Sequence, residues 1–212
     1  MNNDEISLVW FSQISDFKAL VYSIYSARLA FNESHFNVFL DDEEKLSLDL
    51  DGVGFHNSSF DQNKETGGIE RIKGELNCFD LVSKKNNTKF VLKIDSDIIV
   101  IHDQFPPNTE KNIITGQKAS KNERKYVYGG SYLINTSKIE FDDLDNRLRE
   151  LDNKHNNFFS KHGWNEDLTI YHYCKEFGKA EAIEGNAKNK WMDFWDYKAE
   201  VIDVVKGLSV ND

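Results

Sequence analysis

The sequence predicts an open α/β fold with a mostly parallel central sheet, and three observations predict it. Short apolar runs alternate with helical patterns through the first hundred residues, an order that sets strands side by side and lays helices over the sheet. The run Lys89 to Val100, Lys-Phe-Val-Leu-Lys-Ile-Asp-Ser-Asp-Ile-Ile-Val, has the β-rich content of a strand covered on both faces, yet it carries Asp95 and Asp97. The 212 residues, 39% hydrophobic and 13% aromatic, suffice for one sizeable core. One domain over 1–212 is therefore expected, with a regular half (1–104) and a differently organised half (105–212).

Each element follows from local pattern. Ile6 to Phe11 is a short apolar strand. Ser12 to Asp16 offers caps for a helix through Ala30, where Phe17, Leu20, Val21, Ile24 and Ala27 recur at helical spacing. Phe36 to Leu40 is a second strand ending in Asp41-Asp42, and Gly52 to His56 a weaker third. Thr66-Gly67-Gly68 opens a helix from Ile69 to about Lys84 whose apolar face is Ile69, Ile72, Leu76, Phe79 and Val82. The Gly pair serves as a cap or turn, since the trailing Lys-Ser/Thr of a phosphate loop is missing. In open α/β sheets, ligands bind beyond the carboxyl ends of strands, so Trp10 to Gln13, Asp41 to Asp42 and Asp95 to Asp97 are expected on one rim.

Phe105-Pro-Pro-Asn108 holds both prolines and ends the alternation. Beyond it come a short strand at Asn112 to Thr115, a polar loop at Ser120 to Lys125 and a glycine-broken strand at Tyr126 to Asn135. Gly129-Gly130 there marks either a bulge or a turn facing a ligand. Phe141 to His155 reads as a charged, solvated helix. Glu166 and Asp167 fall in the first turn of a helix whose later residues are apolar, where acids also serve as simple partners of the helix dipole.

Composition sets limits. With 36 acidic against 26 basic residues and a net charge of −10, a nucleic-acid partner held by its phosphates is excluded. Cys78 and Cys174 lack metal-ligand spacing and read as buried free thiols of a reducing compartment. The start has neither a basic leader nor an apolar stretch long enough to span a membrane, so the expectation is a cytoplasmic protein without a membrane span.

The chemistry centres on Asp95 and Asp97. Two positions apart in an extended backbone, they point the same way and close on one divalent cation. The segment Phe90-Val-Leu-Lys-Ile-Asp-Ser-Asp-Ile-Ile-Val100 resembles the DxD strand of GT-A nucleotide-sugar glycosyltransferases, a Rossmann-like fold. That resemblance implies Mn²⁺ or Mg²⁺ held by Asp95 and Asp97 against the diphosphate of a donor, a UDP-sugar, and a glycan or glycoprotein acceptor. It places Trp10, Phe11, Ser12, Asp41, Arg71, Asp95, Gly129, Gly130 and Lys188 around the donor. Glu166-Asp167 is similar to the Glu-Asp motif of inverting β-1,3-galactosyltransferase and Fringe families, which makes these two acids the catalytic pair and Asp167 the general base.

Ala182-Ile-Glu-Gly-Asn-Ala-Lys-Asn-Lys-Trp191 resembles in part the close of glycogenin-like retaining transferases. Ala182 stands where their metal-binding His would be, which leaves Glu184, Asn186 or Asp193 as substitutes. Inversion and retention thus both stay open. The small size resembles the glycosyltransferase domain that algal viruses use on capsid glycans, which would place the protein in a host cytosol. Two other readings are a haloacid-dehalogenase-type phosphatase, with Asp95 as nucleophile, and a GT-A-like module that binds a sugar nucleotide or glycan without turnover. The phosphatase family usually carries its Asp pair on the first strand, whereas here some ninety residues of β-α structure precede it.

Overall fold

Strands β1 (Ile6–Ser12), β2 (His35–Leu40), β3 (Val53–Asn57) and β4 (Phe90–Asp95) run parallel to one another. They join β5 (Ile114–Lys121), β6 (Arg124–Asn135) and β7 (Ala180–Ile183) in one seven-stranded sheet of order β3-β2-β1-β4-β6-β5-β7. β6 is antiparallel to both β4 and β5, and β7 is parallel to β5. This computed structural model describes residues 1–13, 16–40, 50–58, 68–100, 103, 105, 109–121 and 124–183.

Alternation along the strands divides the core in two. Leu8 and Trp10 of β1 and Leu92 and Ile94 of β4 face α1 (Phe17–Ala30), which buries Leu20, Ile24 and Ala27 against them. Val9 of β1, Val91 of β4 and Tyr132 and Ile134 of β6 face the other way. There they meet α2 (Gly68–Asn86), α3 (Leu144–Lys154), the single turn α4 (Phe158–Lys161) and α5 (Glu166–Phe177). Each fully buried Leu or Ile in these layers contributes roughly 1.5–3 kcal/mol of transfer free energy. Lys93 also points to the α2 and α5 side, because it alternates with Leu92 and Ile94, and that places a charge in an apolar layer.

Three expectations are corrected. The strand carrying the two aspartates stops at Asp95: the Ile98 N–H donates to the Asp95 carbonyl at 3.1 Å, so Asp95 to Ile98 is a turn rather than extended chain. Ile98 and Val100 are buried nevertheless, packed on the α1 side. The polar stretch read as a loop is strand on both sides of residues 122–123, because β5 runs to Lys121 and β6 begins at Arg124; Ser120 pairs with Lys125. α3 is not merely solvated, since Leu144, Leu148 and Leu151 form a buried stripe at helical spacing beneath its charges.

The glycine pair lies at an irregularity. From Gly116 to Lys118 β5 advances two residues, while β6 passes from Tyr132 to Val127, so the segment holding Gly129 and Gly130 leaves the β5 ladder. Cys78 and Cys174 are buried free thiols. Among the described residues no helix is long and apolar enough to cross a membrane.

Candidate active site

The ends of β1 and β4, the β6 irregularity, one face of α2 and the first turn of α5 converge on a cluster of charged side chains. At its centre is Lys93, with only 6% of its side chain exposed. Its Nζ donates to Asp95 Oδ1 at 2.5 Å and to the Gly129 carbonyl at 2.5 Å, and lies 3.9 Å from Glu166 Oε1. Burial alone would lower the Lys93 pKa, but Asp95, Glu166, Glu75 and Asp167 together raise it, so the ammonium is permanently charged. It ties the tip of β4 to the bulged strand.

The two acids of α5 have different environments. Glu166 Oε2 pairs with Arg71 Nη2 at 2.5 Å, and its side chain is only 14% exposed. Burial pushes the Glu166 carboxyl up, but Lys93, a hydrogen bond from Glu75 and Arg71 outweigh this and bring it below the ordinary carboxylate range. Such a carboxylate is a poor base. Asp167 has the opposite balance: burial first, then the neighbouring Glu166 charge, push it up to about 7 despite Lys93 and Arg71. The Asn165 side chain caps the helix by accepting from the Leu168 N–H at 3.2 Å, so the dipole also acts on Asp167, without reversing the shift.

Gly129 explains how Asp167 fits. A Cβ there would meet the Asp167 carboxylate oxygens at 2.1 and 2.2 Å, so the acid occupies space that only glycine leaves open. Gly130 is buried beside it in β6.

The other expected positions fall as follows. Phe11 pairs in register with Asp95 and with Phe39, stacking on Phe39 at 5.5 Å, so it sits in the strand row that ends at the cluster. Ser12 closes β1, 1% exposed, with its Oγ donating to the Gln13 carbonyl at 3.3 Å. Trp10 does not reach the rim. It is fully buried on the α1 side, stacked on Phe36 with Nε1 donating to Ser23 Oγ at 2.8 Å, and as a core residue offers no surface to a ligand. Arg71 is held by Glu166, while its Nε has no acceptor among the described residues and keeps an unspent donor. Asp97 lies on the turn after β4, partly exposed. Asp41, Lys188, Glu184, Asn186 and Asp193 lie outside the described residues.

Lys93, Glu75 and Tyr132 were not anticipated. A lone lysine inside Phe-Val-Leu-Lys-Ile, two residues before Asp95 and therefore on its face, is itself a signal that a buried cation needs anionic partners. Glu75 interrupts the apolar stripe of α2 between Ile72 and Phe79, and it lies one turn from Arg71.

No protein-family model and no curated protein sequence matches the chain. Solved structures do. The galactosyltransferase LgtC, determined in complex with donor and acceptor sugar analogues, superposes with a TM-score of 0.56 at 15% identity, over 86% of this chain and 74% of LgtC. The glycosyltransferase GlyE of Streptococcus pneumoniae TIGR4 gives 0.52 at 14% identity, over 95% of this chain and 51% of GlyE. The fold is that of the GT-A glycosyltransferases. In this GT-A frame the Asp95 turn, the Gly129 bulge and the first turn of α5 come together at the carboxyl end of β4.

Among the described residues no group of three or more His, Cys, Asp or Glu is arranged to hold a metal. A hard divalent cation does not require one, since Mg²⁺ commonly takes one or two carboxylates, keeps several waters and draws the rest from substrate phosphates. Asp95, which gives one oxygen to Lys93, and Asp97 on the adjoining turn fit that donor set.

Proposed function

We infer that the protein transfers a sugar from a nucleoside diphosphate donor, of the UDP-sugar type, to a hydroxyl of a glycan or glycoprotein acceptor. The observation that carries this is the contrast within Glu166-Asp167: one acid is held by cations, while its neighbour sits half-buried against Gly129, where burial and the Glu166 charge push its carboxyl up to about 7. A base for a sugar hydroxyl works best with a pKa near the working pH. The GT-A frame favours this reading over phosphatase chemistry.

In this reading Asp95 and Asp97 hold Mn²⁺ or Mg²⁺ at the end of β4. When bound, the cation stabilises negative charge on the departing diphosphate. Arg71, anchored by Glu166 and partly exposed, lends its positive charge to the donor diphosphate. Asp167 takes the proton of the acceptor hydroxyl as that oxygen bonds to the anomeric carbon, while the carbon–oxygen bond to the diphosphate breaks and its electron pair leaves with the diphosphate. Lys93 and Glu166 keep the first turn of α5 fixed during the step. A retaining course, with Asp167 steadying the sugar, shares the same donor site.

Thermal unfolding with UDP tests the donor half. A ligand that binds only the folded state raises its apparent stability, so UDP with Mn²⁺ should raise the Tm and UDP with EDTA should not, because Asp95 and Asp97 then repel the diphosphate. Equal stabilisation in EDTA would remove the cation from the donor site.

A further inference from the structure

Beneath the two acids of α5 lies a third carboxyl that the reaction does not use. Glu75 is 1% exposed in the middle of α2, between Ile72 and Leu76 on one side and Phe79 on the other. The Tyr132 hydroxyl of β6 donates to its Oε1, and its carboxyl is hydrogen-bonded to that of Glu166. Two carboxyl groups in contact require a proton between them, because two buried anions would repel without a donor. Around the pair stand Arg71 from α2, Lys93 from β4, Tyr132 from β6 and Asp167 from α5. Both cations favour ionised Glu166, which Arg71 touches directly, so the proton resides on Glu75.

We propose that Glu75 is a neutral, proton-bearing positioning residue: it accepts from Tyr132, donates to Glu166, and thereby fixes the first turn of α5 and the Asp167 carboxylate against Gly129. Burial, followed by the Glu166 charge, holds the Glu75 carboxyl well above the usual range, in keeping with this geometry. The arrangement satisfies a buried acid without leaving a charge on it, and it joins α2, β6 and α5 through one chain of hydrogen bonds. Glutamine reproduces the pattern, with its carbonyl accepting from Tyr132 and its amide donating to Glu166. Leucine fills similar space and does neither.

The inference rests on the glycosyltransferase reading for its consequence but not for its chemistry, and the experiment separates the two. Infrared spectra of wild type and Glu75→Gln are compared at about pH 9, where Asp167 is ionised and only a strongly perturbed carboxyl keeps its proton. Wild type should show the carbonyl band of an un-ionised acid, and Glu75→Gln should lack it. In transfer assays Glu75→Gln should stay within about threefold of wild type, whereas folded Glu75→Leu should lose roughly 10-fold to 10²-fold in kcat with donor affinity unchanged. Absence of the band, or a Glu75→Gln protein that folds but is as impaired as Glu75→Leu, overturns the proposal. If Glu75→Leu does not fold, the band and the glutamine variant still decide. A wild type that shows the band but transfers no sugar would refute the transferase reading and leave the proton on Glu75 in place.

Discussion

Asp167→Asn should reduce sugar transfer by roughly 10²-fold or more while leaving cation-dependent donor binding intact. Asparagine keeps the size of the side chain and its place against Gly129, but it cannot accept a proton. The same variant carries a stability signature of opposite sign. The Asp167 pKa rises from 3.8 to about 7 on folding, so folding takes up a proton. The stability this contributes is complete below the unfolded pKa and is lost as the pH rises through about 7. Wild type should therefore lose stability between about pH 4 and about pH 7, and Asp167→Asn should not lose this part. Denaturant unfolding across that interval, with transfer measured on the same samples, gives both readings. A variant that transfers at the wild-type rate would remove Asp167 as the base and shift the account to a retaining course. Loss of donor affinity would place Asp167 in the donor pocket.

Lys93→Met should have the largest effect on stability. Methionine fills much of the volume but leaves Glu166, Asp95 and the Gly129 carbonyl without their cation, and removing one partner of a buried charge group costs about 3–5 kcal/mol. The sign with pH follows from Glu166, whose folded pKa lies below its unfolded value. Its stabilisation is present above the unfolded pKa and lost as the pH falls through the folded one. The deficit of Lys93→Met is therefore greatest near neutral pH and shrinks on acidification. Adding Glu166→Gln to Lys93→Met should restore part of the loss, since the second change removes a buried carboxylate that the first leaves with Arg71 alone. A single variant as stable as wild type at neutral pH would show that Lys93 does not hold the cluster together.

Much of the fold was legible because its signals are local. The apolar period of α1 and α2 and the continuous β-rich runs of β1, β2 and β4 each specify their own element, and alternation then orders the parallel half. The site was legible where a motif lies on one segment, as with Asp95 and Asp97 or Glu166 and Asp167. It was not legible where the meaning of a residue depends on three elements meeting. Lys93, Glu75 and Tyr132 come from β4, α2 and β6, and only the sheet order with β6 beside β4 brings them onto one face. Trp10 misled for a related reason. Its place at the end of a strand suggested the rim, but strand alternation sends it into the α1 layer, where Ser23 takes its indole N–H. The turn after Asp95 was hidden because Ile98 and Val100 are as apolar as a strand, although they are buried in loop conformation.

The central claim is turnover of a nucleotide sugar at the end of β4. Its most direct measurement is release of nucleoside diphosphate from a panel of nucleotide sugars by wild type and Asp97→Ala, each with Mn²⁺ and with EDTA. The account predicts that wild type with Mn²⁺ consumes a donor, UDP-linked first, and that EDTA and Asp97→Ala each abolish this while the variant remains folded, since losing a carboxylate from a rim opens no core. Consumption that persists undiminished in EDTA, or a wild type that consumes no donor at all with Mn²⁺, would contradict it.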